Sequence, residues 1–195
     1  LDYIIISHFH DDHITGLVEI LKRYRVKQII FGPSEIYSPA VEVLLAEIKR
    51  QKLTVINIEN TGNLRLDNYC SLFFINPESL KIKVNDNNSL VAKLDCGNNK
   101  FLFAGDNEVE AEAALIDSGL NLRAEIFKSS HHGSKTSNTK DFLAAVSPEK
   151  MIISVGVDNR FGHPNQEVLD RAIALGIKIW RTDIEGNINI LANIK

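Results

Sequence analysis

Apolar and polar positions alternate between two rhythms along the chain. Asp2 to Ser7 (DYIIIS) is a short β-branched run, and Lys27 to Phe31 and Leu53 to Ile58 repeat that character. The first predicts a buried strand and the other two predict strands. Between them the spacing becomes helical. Over Gly16 to Arg25, Leu17, Val18, Leu21 and Tyr24 share one face, and Lys22, Arg23 and Arg25 occupy the last turn, where the helix dipole favours cations. A second helix starts at Ser38-Pro39, with serine as N-cap and proline at the first helical position, and its apolar face is Val41, Leu44, Leu45 and Ile48.

The rest of the chain continues the alternation. Strands are predicted at Cys70 to Ile75, Ser89 to Asp95 and Lys100 to Ala104, with Gly97-Asn98-Asn99 as the hairpin turn between the last two. Further strands are predicted at Glu125 to Lys128, Met151 to Val155, Ile177 to Arg181 and Asn187 to Ala192. Helices are predicted at Glu108 to Ser118, Asn138 to Val146 and Pro164 to Leu175, the first and last closed by Gly119 and Gly176. Strands and helices alternating with hairpins predict layered α/β with a mixed sheet or two sheets. No internal repeat or low-complexity linker divides the 195 residues, so one domain over 1–195 is expected. The chain opens on Leu1 and reaches a His-rich motif by residue 8, which reads as a piece of a longer protein.

Composition narrows the function classes. Apolar residues make up 44% and charged residues 24%, which excludes a disordered chain. A net charge of −3 argues against coating nucleic acid by bulk charge, while leaving room for a local basic patch. No run of 18 apolar residues exists, so no membrane span is expected. Cys70 and Cys96 lie far apart in strand-like stretches and are expected to be buried free thiols.

The six histidines carry the chemistry. Ser7-His8-Phe9-His10-Asp11-Asp12-His13 contains H-x-H-x-D-H. Residues two apart at a strand end point the same way, so His8 and His10 can present two imidazoles to one ion; the turn into a helix then swings Asp12 and His13 to the same side. Imidazole and carboxylate together suit Zn, Mn or Fe rather than Ca, and four such ligands can serve two neighbouring cations. Asp106 ends the apolar strand FLFAGD, well placed to bridge two metals. The segment EIFKSSHHGSKTS adds His131 and His132 at a strand end, with Ser134, Lys135, Thr136 and Ser137 able to meet phosphate oxygens. In DNRFGHP, His163 is expected at an N-cap and Pro164 at the first helical position, with Asn159 and Arg160 beside them to hold an anion.

These motifs resemble the metallo-β-lactamase superfamily. SHFHDDHITG, NNSLV, FLFAGD, SSHHGSKTS, IISVG followed by NRFGHP, and RTDIEGNI together resemble the hydrolase domain of ComEC-type DNA-uptake proteins and their stand-alone relatives. The resemblance implies a four-layer αββα sandwich, here lacking its N-terminal strands and so leaving an apolar edge exposed. It implies two divalent metal ions, Zn or Mn, and attack by a metal-activated hydroxide. His8 and His10 would hold one ion, and Asp12 and His13 the other, with His132 the preferred member of its pair to join them; Asp106 would bridge. Asp12 would orient the water, and His131 and His163 would face substrate. Ser134, Lys135, Thr136, Asn159 and Arg160 would bind it.

The substrate so implied is DNA or another phosphodiester. A small ester (lactone, thioester or phosphocholine ester) is the alternative, as is a catalytically weak domain that binds DNA or a partner. A membrane-embedded parent would tether the domain outside the cytosol, whereas a stand-alone relative would be cytoplasmic or secreted. Superfamily members usually carry another metal histidine before the Gly-Asp strand, but no histidine occurs from Ile14 to Ser130. Either Asp86, Asn87 or Asn88 substitutes as an oxygen ligand or through water, or the first metal binds weakly.

Overall fold

The computed structural model describes residues 1–32, 37–58, 61–75 and 89–192. The isoleucine run forms β1 (Tyr3–Ile6), which pairs in parallel with β2 (Gln28–Phe31), itself parallel to β3 (Thr54–Asn57). The crossovers are α1 (Asp11–Arg23) and α2 (Pro39–Gln51). As expected, Ser38 caps α2, its hydroxyl accepting from the Val41 amide, with Pro39 just inside the helix.

The second sheet has seven strands in the order β10-β9-β8-β7-β6-β5-β4. One half is an antiparallel meander of β4 (Thr61–Arg65), β5 (Cys70–Ile75), β6 (Val91–Cys96) and β7 (Asn99–Phe103). The other half, β7 through β8 (Ile126–Lys128), β9 (Lys150–Ile153) and β10 (Lys178–Arg181), is parallel. Its crossovers are α3 (Val109–Asp117), α4 (Lys140–Val146) and α5 (Gln166–Ala174), and a single-turn α6 (Thr182–Glu185) follows β10.

Three apolar layers separate four layers of secondary structure. Ile14 and Leu21 of α1 and Val41, Leu44 and Ile48 of α2 pack on Ile4, Ile6 and Ile29. Strand alternation sends Ile30 to the other face, where it meets Leu72, Phe74, Leu90 and Ala92 between the sheets. The largest cluster joins Leu115, Phe142, Leu143 and Val168 of the other helices to Leu102, Phe127, Met151 and Ile153. This helix–sheet–sheet–helix stack is the expected αββα sandwich. β1 is the edge of its sheet, and Ile5 on it is 37% exposed.

α1 begins at Asp11 rather than Gly16, so Asp12 and His13 sit in its first turn. The N-cap of α5 is Asn165, whose side chain accepts from the Glu167 amide; His163 and Pro164 precede it because Pro164 packs on Gly133, where a Cβ would lie 2.7 Å from the proline ring. Residues 187–192 form no strand. Cys70 and Cys96 are not free thiols: they face each other across β5 and β6 and form a disulfide. The strand β4 carries a single large apolar residue, Leu64, and forms through its pairing with β5. Asp86, Asn87 and Asn88 lie outside the described residues. Among the described residues, no helix is long and apolar enough to cross a membrane.

Candidate metal centre

The first strands of both parallel sections end at one edge of the sandwich, where open α/β sheets place their ligands. β1 runs out into Ser7 and His8, and β7 into Gly105 and Asp106. β6 runs the other way, so its start, Ser89-Leu90, lies at the same edge. There the Leu90 amide donates to the Ser7 carbonyl at 2.8 Å, which ties one sheet to the other.

Asp106 lies at the centre. Its Oδ2 is 3.3 Å from His13 Nε2, 3.6 Å from His8 Nε2, 3.8 Å from His132 Nε2 and 3.9 Å from His131 Nε2. Asp12 Oδ2 lies 3.3 Å from His132 Nε2 and 3.7 Å from His13 Nε2. The ligand atoms of Asp12, His13, Asp106 and His132 fall within 4.8 Å of one another, as do those of His8, His10 and Asp106. The two groups share Asp106.

The donor set fits divalent cations. His13 Nε2 and His132 Nε2 are buried without a hydrogen-bond partner, a costly state for a ring nitrogen unless a cation takes its lone pair. His132 presents Nε2 because its Nδ1 donates to the Ser154 carbonyl at 2.8 Å, the outward anchoring typical of a metal-bound imidazole. Burial, then the positive field of His13, lowers the His8 pKa to about 3, so this ring is neutral near pH 7. Burial alone would raise the Asp106 pKa, but the contact with His13 and the fields of His13, His8 and His132 overcome it and hold the carboxylate ionised.

Backbone geometry serves these side chains. His131 and His132 both adopt left-handed conformations (φ 46° and 53°) in a short 3₁₀ turn, Ser130–Gly133. Such a pair persists only where the surroundings enforce it. Here Asn138 does so: its Oδ1 accepts from the Ser130 amide and Ser129 hydroxyl, and its Nδ2 donates to the Ser130 carbonyl. The buried Glu112 carboxylate in turn accepts from the Asn138 and Thr139 amides. Gly105 (φ 57°) is required because a Cβ there would lie 2.3 Å from Ser89 Cβ.

The remaining predicted residues divide. His131 turns Nδ1 to Glu108 Oε1 at 3.2 Å and Nε2 toward Asp106. His163 packs its ring 5.8 Å from that of His131; burial, then the charges of His131 and His132, lowers its pKa. Asn159 is engaged with the His163 backbone, accepting from its amide and donating to its carbonyl. Ser134 is buried and hydrogen-bonded to Thr136, whose hydroxyl donates to Glu108 at 2.6 Å. Lys135 borders a cleft of about 460 Å³ with Glu108, Thr136, Lys140 and Arg171.

Residues 1–73 match the family model described as the metallo-beta-lactamase superfamily. The solved structures that resemble this one include CmlA, a diiron beta-hydroxylase from Streptomyces venezuelae (TM-score 0.66, 13% identity, covering 93% of this chain and 43% of that one). They also include the metallo-beta-lactamase fold protein YhfI from Bacillus subtilis (TM-score 0.53, 13% identity, 93% and 75%) and Zn(2+)-bound PqqB from Methylobacterium extorquens (TM-score 0.52, 9% identity, 92% and 68%). The fold is that of the metallo-β-lactamases.

Within that fold the chain resembles ComEC-type proteins. It is 29% identical over 188 residues to the ComE operon protein 3 of Bacillus subtilis, covering 96% of this chain and 24% of that protein. It is 31% identical over 187 residues to the competence protein ComA of Neisseria gonorrhoeae, covering 95% and 24%. The chain thus spans about a quarter of each relative's length. Four polar residues of this metallo-β-lactamase-fold site gave no signal in the sequence, Asn107, Glu108, Glu112 and Asn138, while Ser89 stands in the NNSLV motif with no sign of its role there. Each acts through contacts distant along the chain.

Proposed function

We propose that the chain is a metal-dependent phosphodiesterase that acts on DNA. The observation that carries this reading is the single carboxylate of Asp106, shared by two ligand groups of mixed histidine and aspartate character. His8, His10 and Asp106 would hold one divalent ion, Zn or Mn, and Asp12, His13, His132 and Asp106 the other. Two ions held there would lower the pKa of a bound water toward neutrality and would stabilise negative charge on a phosphodiester.

The chain's own residues supply the rest. Asp12, the most exposed carboxylate of the set, orients the attacking water. His131, with Nδ1 fixed by Glu108, points Nε2 into the site and holds the proton for the leaving oxygen; His163 packs against it as the neighbouring candidate. Lys135 and Arg160 attract the phosphate. Ser134 and Thr136 contribute through Glu108, because their hydroxyls are already bonded along that line. The open cleft lined by Glu108, Glu110, Lys135 and Lys140 suits a polar substrate better than a small apolar ester, whose pocket would be closed and apolar. The name of the Neisseria gonorrhoeae relative, a competence protein, agrees with DNA as the substrate.

The test is hydrolysis of DNA with added Mn or Zn, comparing the natural chain with Asp106→Ala. Metal-dependent cleavage that disappears in the variant is expected. Equal cleavage by both would defeat the metal claim, and cleavage of lactones or thioesters but not DNA would favour the small-ester reading.

A further inference from the structure

Phe161 is 73% exposed and stands two residues from His163. Its ring lies nearly parallel to that of His163 (18°, centroids 6.1 Å apart), and the Arg160 guanidinium sits 5.9 Å from the Phe161 ring centre. His163 in turn packs on His131, whose Nε2 faces Asp106. A run of three rings therefore leads from the bridging carboxylate to an open aromatic face.

The loop that carries Phe161 is held in place. Asn159 bonds both the amide and the carbonyl of His163, and the Asn165 amide donates to the Gly133 carbonyl in the His-pair turn. A fixed aromatic face with a guanidinium at its side is the arrangement that stacks a nucleobase, because every base has a π-face and its phosphate is anionic.

We propose that Phe161 and His163 form a stacking platform for the nucleobase next to the scissile phosphate, with Arg160 meeting that nucleotide's backbone. The ligand class is thus a nucleic-acid strand whose base at this position is unpaired. This rests on the phosphodiesterase reading and specifies its substrate. A protein partner would need a wider apolar surface than one ring flanked by an arginine.

The experiment compares a single-stranded oligonucleotide with the same strand carrying abasic sites, for the natural chain, Phe161→Ala and Phe161→Trp. Cleavage with Mn and binding by fluorescence anisotropy are measured in parallel. The natural chain is expected to prefer the base-bearing strand about tenfold or more, as base–aromatic stacking implies. Phe161→Ala should lose that preference and Phe161→Trp should keep it. A preference unchanged in Phe161→Ala, or none in the natural chain, overturns the platform. A binding preference that follows Phe161 without cleavage of either strand supports the platform and overturns the phosphodiesterase reading instead.

Discussion

Ser89 Oγ lies 3.1 Å from Nδ1 of His8, a contact between the two sheets across 81 residues of sequence. The same oxygen accepts from the Asp106 amide at 2.8 Å, and the Asn107 side chain clamps Ser89 by its amide and carbonyl. One hydroxyl thus orients the His8 ring and the strand tip that bears Asp106. Partners of this kind typically contribute 10–100-fold in metal affinity. Ser89→Ala should weaken metal binding by about tenfold or more, read by competition with a chelator. An unchanged affinity would mean that His8 is oriented by Ser7 alone.

Glu108→Ala should leave His131 free to rotate. Positioned proton transfer contributes roughly 10²–10⁴-fold, so turnover should fall by about 10²-fold or more while metal content stays constant. Parallel loss of metal would show instead that Glu108 supports the ligands.

Asn138→Ala removes three bonds that hold the left-handed turn of His131 and His132. Leaving buried groups of Ser129 and Ser130 unpaired costs about 1–3 kcal/mol each at most, so a loss of about 2–4 kcal/mol in urea unfolding is expected. A loss below about 0.5 kcal/mol would show that the turn holds itself.

The disulfide between Cys70 and Cys96 closes a loop across β5 and β6. Replacing both cysteines by serine should cost about 2–4 kcal/mol. Thiol titration of the unreduced, unfolded protein should find no free thiol; two free thiols would contradict the bridge.

The metal-free protein should lose stability in acid. His8 has its pKa lowered to about 3 in the fold, against an ordinary value of 6.5. Above 6.5 the ring is neutral in both states and its contribution is fully present. As pH falls from 6.5 toward 3 the unfolded chain takes up the proton first, and stability declines. Melting in the presence of a chelator should therefore show a falling Tm across that window, less so in His8→Asn. Equal slopes for the two proteins would remove His8 as the cause.

What could be read ahead of the structure follows the range of each signal. His8, His10, Asp12 and His13 stand in one short segment, where strand and helix geometry alone bring them together. The three apolar layers follow from local periodicity, as in Ile4, Ile6 and Ile29 against Ile30. Ser89 and Asn138 are different: a lone serine or asparagine has no period, and its role depends on a partner chosen by the folded chain. The cysteines needed the register of β5 against β6, which places Cys70 directly opposite Cys96 and which no local pattern specifies. α5 starts at Gln166, beyond Pro164, an apt first helical residue that packs on Gly133 instead.

Metal content after dialysis against Zn or Mn addresses the shared carboxylate most directly. Elemental analysis should find two equivalents per chain, and Asp106→Ala should lose both together, because each ligand group depends on that side chain. A folded natural chain that retains no metal, or an alanine variant with undiminished content, would contradict the account.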